Sequence, residues 1–222
     1  MPDDRLVVTI DGPAGVGKTT LAKRVAQALG VAYLDTGAMF RVLALRLSPV
    51  APETPWEAVS GRMGGLEFSL RGTGADTVLL ADGAPVGDEI RTEAVAYAAS
   101  TLATRPEVRA LLLKAQQAMG RGASLVAEGR DMGTVVFPDA AHKIFLDARA
   151  EVRAARRVEQ LAAMGQPADH AAILADITRR DIQDRTRAEA PLRPAPDAVV
   201  IDTSDLDIDG VFARIMAAVP SA

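Results

Sequence analysis

The 222-residue chain has no cysteine, two histidines, one tryptophan and only four lysines. Without cysteine there is no disulfide framework, no thiolate nucleophile and no zinc ribbon. His142 and His170 are too far apart to form a local metal motif; one opens an apolar run and the other lies in a polar stretch, so both read as structural or solvent-facing. No run approaches the ~18 uncharged apolar residues of a membrane span, and the N-terminus has no apolar signal segment with a cleavage site. A cytoplasmic protein without membrane association is expected. The net charge of −4 argues against a general nucleic-acid binder, which needs basic surface to displace counterions. The length fits one domain, or one domain with inserted lobes.

Five short apolar runs recur: "RLVVTI" (5–10), "VAYLD" (31–35), "SLVAE" (124–128), "HKIFLD" (142–147) and "DAVVID" (197–202). Their length and their valine and isoleucine content predict buried strands, and helical segments follow several of them. That alternation implies an α/β fold with a parallel sheet and helices on both faces. Each run ends at, or is directly followed by, a carboxylate: Asp11, Asp35, Glu128, Asp147 and Asp202. Ligands of open α/β sheets bind beyond the carboxyl ends of the strands, so these acids are expected near the site.

The 88 residues between the second and third runs exceed what a crossover helix needs, so something is inserted. Residues 61–90 hold two alternating runs, "LEFSL" and "TVLLA", joined by "RGTGAD", which reads as a small β-hairpin module. Two helical stretches follow, separated near Pro106, with Thr104 and Glu107 spaced as a capping box. A second excursion, Arg149 to about Arg193, reads as two helices joined by "MGQPADH", with Gly165 and Pro167 at the turn.

The stretch "GPAGVGKTT" matches G-x-x-x-x-G-K-[ST] at Gly12, Gly17, Lys18 and Thr19, with a strand before it and a helix after it. Leu21, Val25, Ala28 and Leu29 fall on one face of that helix, and Gly30 is placed to end it. The glycines allow successive N–H groups of residues Gly12, Pro13, Ala14, Gly15, Val16, Gly17, Lys18, Thr19 and Thr20, proline excepted, to converge on phosphate oxygens. The helix N-terminus and Lys18 add positive charge, and Thr19 offers its hydroxyl to Mg²⁺. A nucleoside triphosphate is the first ligand expected.

A regulatory GTPase would carry N-K-x-D, which is absent, and no signature of a motor or transporter ATPase is visible. A small transferase remains, with an acceptor opposite the triphosphate. Phosphoryl transfer needs positioning and positive charge rather than a covalent nucleophile, which suits this composition. Of 21 arginines, nine lie between Arg149 and Arg193. Arg149, Arg153, Arg156 and Arg157 stand on one helical stripe, and Arg180, Asp184 and Arg187 on another, as in a lid closing over phosphates. The alternative is a solvated face neutralised by Glu151, Glu159, Asp176 and Asp181.

The segments "TIDGPAGVGKTTLAKRVA", "YLDTGAMFRVLAL", "DEIRTEAVAYAASTLATRPEVRALLLKAQ", "AEGRDMGTVVFPDAAHKIFLDA" and "RRDIQDRTRAEAPL" together resemble bacterial cytidylate kinases over nearly the whole chain. The resemblance implies a P-loop NTPase core of five parallel strands (1–40, 110–148 and 189–222), an NMP-binding lobe (41–109) holding the β insert, and a helical lid (149–188). It implies transfer of the γ-phosphoryl of ATP to CMP or dCMP, with Mg²⁺, by a monomer. Thr36, Gly37 and Arg41 would contact the CMP phosphate together with Arg130 and Arg180. Ser100, Arg109 and Asp131 would read cytosine, Asp184 would hold the ribose hydroxyl, and Arg187 would reach the base or the transferring phosphates. Arg153 and Arg157 would serve the ATP side of the lid, and Lys18, Arg130, Arg180 and Arg187 would be catalytic. Thr36 stands where serine is common in the family and Glu128 where aspartate is common. Residues 48–87 match weakly.

Overall fold

A computed structural model of the chain describes residues 5–47, 54–61 and 65–219. Strand β1 (Val7–Asp11) leads through the glycine-rich loop into α1 (Lys18–Leu29), followed by β2 (Ala32–Asp35) and α2 (Thr36–Leu47). Short α3 (Trp56–Ser60) precedes β3 (Phe68–Arg71), β4 (Val78–Ala81) and β5 (Ala84–Pro85). Helices α4 (Glu93–Leu102) and α5 (Pro106–Gly122) return the chain to β6 (Leu125–Gly129). Then come β7 (His142–Asp147), α6 (Ala150–Ala163), α7 (His170–Thr186), β8 (Val199–Asp202) and α8 (Ile208–Ala218).

All five apolar runs form strands of one parallel sheet, ordered β2-β6-β1-β7-β8. Val8, Ile10, Val126, Ile144 and Leu146 are fully buried in its centre. On one face they pack under Leu21 and Val25 of α1 and Val211 and Ile215 of α8. On the other face Met39 and Leu43 of α2 and Val108 and Leu112 of α5 cover Leu34, Leu125 and Ala127. Each such side chain removed from water contributes roughly 1.5–3 kcal/mol, which is what holds the helices to the sheet. Strand β8 departs from the expectation of burial: it is an edge strand, and Val199 and Val200 are exposed.

On α1 the buried face is Leu21, Ala22, Val25 and Ala26; Ala28 points outward, and Gly30 closes the helix with φ 65°. The capping box expected at Thr104 and Glu107 does not form. Pro106 takes the first helical position of α5, which makes Arg105 the capping residue, without a side-chain bond. The connection from α4 is so short that the Thr104 hydroxyl donates back to the Thr101 carbonyl instead. Thr92 does cap α4, accepting from Val95 N.

The insert forms a separate antiparallel sheet, β3-β4-β5. Residues 62–64 of the stretch that introduces it lie outside the described residues. Its 3₁₀ turn, Gly74–Asp76, docks on the end of α1 and the outer side of β2. Gly74 N donates to Val31 O at 2.7 Å, Ala75 N to Gln27 Oε1 at 3.1 Å, and Tyr33 N to Thr77 Oγ1 at 3.0 Å. Gly74 has φ 60°, and a side chain there would run into Gln27. Among the described residues no helix is long and apolar enough to cross a membrane.

Candidate active site

A cleft of about 270 Å³ opens at the carboxyl ends of β1, β2 and β6, between α2, α4 and α7. The glycine-rich loop forms one side, with Ala14, Gly15, Lys18 and Thr19 in the lining. Gly12, Gly15 and Gly17 all have φ between +83° and +151°, which a β-carbon would resist. At Gly12 an added methyl would also collide with the Leu146 carbonyl. Gly17 caps α1 and has no side chain to bond the first-turn N–H groups, so they remain available to an anion.

Lys18 is buried and folds back to donate from Nζ to Pro13 O at 2.6 Å. Burial, and then the Arg130 charge, pull its amine down to about 7 against the opposing pull of Glu128, Asp11 and Asp184. Burial and the nearby Asp35 charge push the Glu128 carboxyl up, and Glu128 accepts a hydrogen bond from the Tyr33 phenol. Thr19 lies within hydrogen-bonding reach of both.

The opposite side is built by α2, α4, α5 and the turn after β6. Helix α2 starts directly after β2 without a loop, so Thr36 and Gly37 are its first residues. Asp35 Oδ1 accepts from Ala38 N at 2.9 Å, and the Thr36 hydroxyl donates to Glu128 O at 2.7 Å. One turn on, Arg41 lines the cleft with no hydrogen bond or ion pair among the described residues. Arg109 and Asp131, also in the lining, form an ion pair that is largely buried, 13% and 6% exposed. Ser100 faces the same space; its hydroxyl makes no hydrogen bond among the described residues, whereas its carbonyl accepts from Gln183 Nε2 of α7. Helix α7 and the residue after it also contribute Arg180, Asp184 and Arg187. Arg130 Nε donates to Asp184 Oδ2 at 2.9 Å. Arg187 Nη2 is buried without a hydrogen bond among the described residues, 3.8 Å from Asp131 Oδ1. Burial, then the neighbouring Arg109 charge, holds its guanidinium below the usual arginine range.

The structure thus brings Thr36, Gly37, Arg41, Ser100, Arg109, Arg130, Asp131, Arg180, Asp184 and Arg187 into one cleft with the glycine-rich loop. Thr20 faces instead a second depression, with Lys23, Arg24, Gln27 and Phe212. The two arginines expected on the donor side are already engaged. Arg153 is 3% exposed and donates to Ala148 O, Ala14 O and Asp181, while Arg157 pairs with Glu93 of α4. The single stripe read for α6 splits, because long side chains from one helical face reach different partners. Arg149 pairs with Asp205, and Arg156 donates to Thr203 and Leu206, both on the loop after β8. Of the four acids weighed as neutralisers, Asp176 and Asp181 pair with arginines. Phe40 in the lining and Tyr33 beside Glu128 were not singled out by the sequence; "YLD" and "AMFR" contain them, but nothing in those strings says which way they face.

A family model for cytidylate kinase matches residues 8–221. The chain belongs to the cytidylate kinase family. A cytidylate kinase of Oleidesulfovibrio alaskensis is 56% identical over 214 residues, covering 96% of this chain and 98% of the relative. One from Rhodococcus jostii is 47% identical over 221 residues, covering 99% and 96%. Among solved structures, an uncharacterized protein from Eubacterium ventriosum superposes with a TM-score of 0.52 at 12% identity, covering 96% of this chain and 97% of that one, a likeness of fold alone. Family membership and fold agree on a parallel-sheet phosphotransferase, and its glycine-rich loop shares one cleft with several arginines.

Proposed function

We propose that the chain transfers the γ-phosphoryl of ATP to CMP or dCMP, giving ADP and CDP or dCDP. The observation that carries this reading is the buried Arg109–Asp131 pair with Ser100 in the lining of the same cleft as the glycine-rich loop. Cytosine presents an exocyclic amine beside a ring nitrogen and a carbonyl, so a carboxylate flanked by donors complements its edge. Uracil would set a carbonyl against Asp131.

In this reading the chain is one kinase unit: a core (1–40, 110–148 and 189–222), an acceptor lobe (41–109) with its β insert at about 61–90, and a lid (149–188). The first turn of α2, with Thr36 and Gly37, meets the acceptor phosphate, an anion at a helix N-terminus. Arg41, which has no hydrogen bond or ion pair among the described residues, neutralises it with Arg130 and Arg180. Asp184 takes the ribose hydroxyl. Residues Gly12 to Thr20 wrap the donor phosphates, and Lys18 exchanges the Pro13 carbonyl for phosphate oxygens. Arg187, with a donor already buried and unbonded, turns toward the base or the moving phosphoryl group. Arg153 and Arg157 reach the donor side only if they leave Asp181 and Glu93.

Thr19 and Glu128, with Asp35 beside them, would hold Mg²⁺. A hydroxyl and one or two carboxylates are what Mg²⁺ uses when phosphates and water complete its shell, so the residues fit. The ion would neutralise charge on the donor phosphates. Positioning and charge complementarity then account for catalysis without a covalent intermediate, and closure of α6 and α7 excludes water. Every group assigned a role lies on one chain, so a monomer suffices.

A coupled assay of ADP release with CMP, dCMP, UMP and AMP as acceptors tests the reading. Fast turnover with CMP or dCMP and slow turnover with UMP and AMP is expected; comparable rates with AMP would overturn it.

A further inference from the structure

Asp11 closes β1 and is 4% exposed, yet it is absent from the lining of the cleft. Its two oxygens accept from successive backbone N–H groups: Met132 N to Oδ1 at 2.9 Å and Gly133 N to Oδ2 at 2.8 Å. These residues directly follow Arg130 and Asp131, where β6 gives way to a π-type turn over Met132–Val136. N–H groups at the start of a helical turn have no acceptor within it, and here they are buried, so leaving them unpaired is costly. One carboxylate on the neighbouring strand satisfies both.

The turn has little freedom to settle elsewhere. At Gly133 an added β-carbon would come within 2.9 Å of Thr9 Oγ1 and 3.2 Å of the Lys143 side chain. At Gly129 it would press on Thr36 Oγ1 and Met132. Backbone therefore packs directly on β1 and on α2 at either end of the Arg130–Asp131 pair. In a close-packed interior a shift of one member is passed to the next.

We infer that Asp11 is a positioning residue for acceptor specificity. Without touching either nucleotide, it fixes the backbone that carries Asp131 and so sets discrimination between cytosine and uracil. The inference rests on Asp131 being the group that reads the base.

The test compares kcat/KM for CMP and UMP in the native chain, Asp11→Asn, Gly133→Ala and Asp131→Ala. Asparagine keeps one accepting oxygen and places an amide against the second N–H, so loss of one charge-assisted bond should lower the CMP:UMP ratio by about tenfold. A role confined to stability would reduce the yield of active enzyme for both acceptors alike and leave the ratio unchanged, which would overturn the inference. If Asp11→Asn does not fold, Gly133→Ala decides, since it displaces the same turn with Asp11 intact; an unchanged ratio there also overturns it. Asp131→Ala separates the two readings. If that variant keeps the native ratio, base reading by Asp131 fails, and the Asp11 inference with it. If its ratio collapses while those of the other two hold, only the Asp11 inference fails.

Discussion

Arg153 of α6 joins Asp181 of α7 through Nη1 at 3.0 Å, and the same nitrogen reaches the Ala14 carbonyl of the phosphate loop at 3.1 Å. The two helices are thereby tied both to each other and to the glycine-rich loop.

Arg153→Ala would leave Asp181 and two carbonyls without their donor in a site that is 3% exposed at the arginine and 16% at the aspartate. Breaking a buried pair from one side costs about 3–5 kcal/mol, so a clear fall in melting temperature is expected along with lost turnover. Arg157→Ala removes a more exposed pair with Glu93, for which about 0–1 kcal/mol is usual, and the melt should hardly move. Thermal denaturation of the two variants side by side checks the contrast.

Asp131→Ala should lower kcat/KM for CMP on the order of a thousandfold, the scale on which a buried hydrogen-bonding site rejects a mismatched partner. UMP, which has no amine to offer Asp131, should lose far less. An acceptor series at fixed ATP measures both. Equal losses would mean that the pair with Arg109 matters only for folding.

Arg180 is 22% exposed, with Nε 3.0 Å from Asp176 Oδ2 and Nη2 4.0 Å from Glu93 Oε2. In the proposed reading its contact with substrate forms on closure, so Arg180→Ala should reduce kcat by about a hundredfold or more and change CMP affinity little. Calorimetric titration of CMP into the variant, beside steady-state kinetics, separates the two. Weaker CMP binding with native kcat would make Arg180 a clamp on the ground state.

Asp11 gives a stability prediction with a defined sign. Burial, only partly offset by the N–H groups of Gly133 and Met132, raises its carboxyl from 3.8 to about 6. The folded chain then holds a proton that the unfolded chain releases between pH 3.8 and about 6. Its contribution to stability is complete below that window, falls as pH rises through it, and is gone above it. The melting temperature of the native chain relative to Asp11→Asn should therefore decline from about pH 4 to about pH 6 and level off beyond. A flat difference would contradict the shift.

Much of the fold was legible because the five strands are short apolar runs that end in carboxylates, and because the phosphate loop has a fixed spacing. Helical period also located α6 and α7 and the break at Pro106. Less was legible where several partners were within reach of one group. Thr104 and Thr92 both precede a helix, but only the three-dimensional path of the chain decides which hydroxyl meets a free N–H. The arginines of α6 share a stripe at their α-carbons and diverge at their tips, toward Asp181, Glu93, Thr203 and Asp205. The cleft residues proposed to hold the acceptor, scattered from Thr36 to Arg187, were picked out by family resemblance. Spacing alone could not have joined them, since strand order and not sequence order makes them neighbours. The backbone contacts of Asp11 were hidden for the same reason: its partners are 121 and 122 positions away.

The docking of the Gly74–Thr77 turn has a consequence for solubility. Strand β2 is a border of the parallel sheet, and bare borders invite pairing with another molecule. Here Val31 O and Tyr33 N on that border are already occupied by the insert's own backbone and a threonine hydroxyl. Among the described residues, the other margin of the parallel sheet is β8, four residues long, with Asp197 shortly before it and Asp202 at its end. Shortening the excursion between α2 and α4 would uncover the β2 margin, and self-association of the chain would be the first property to change.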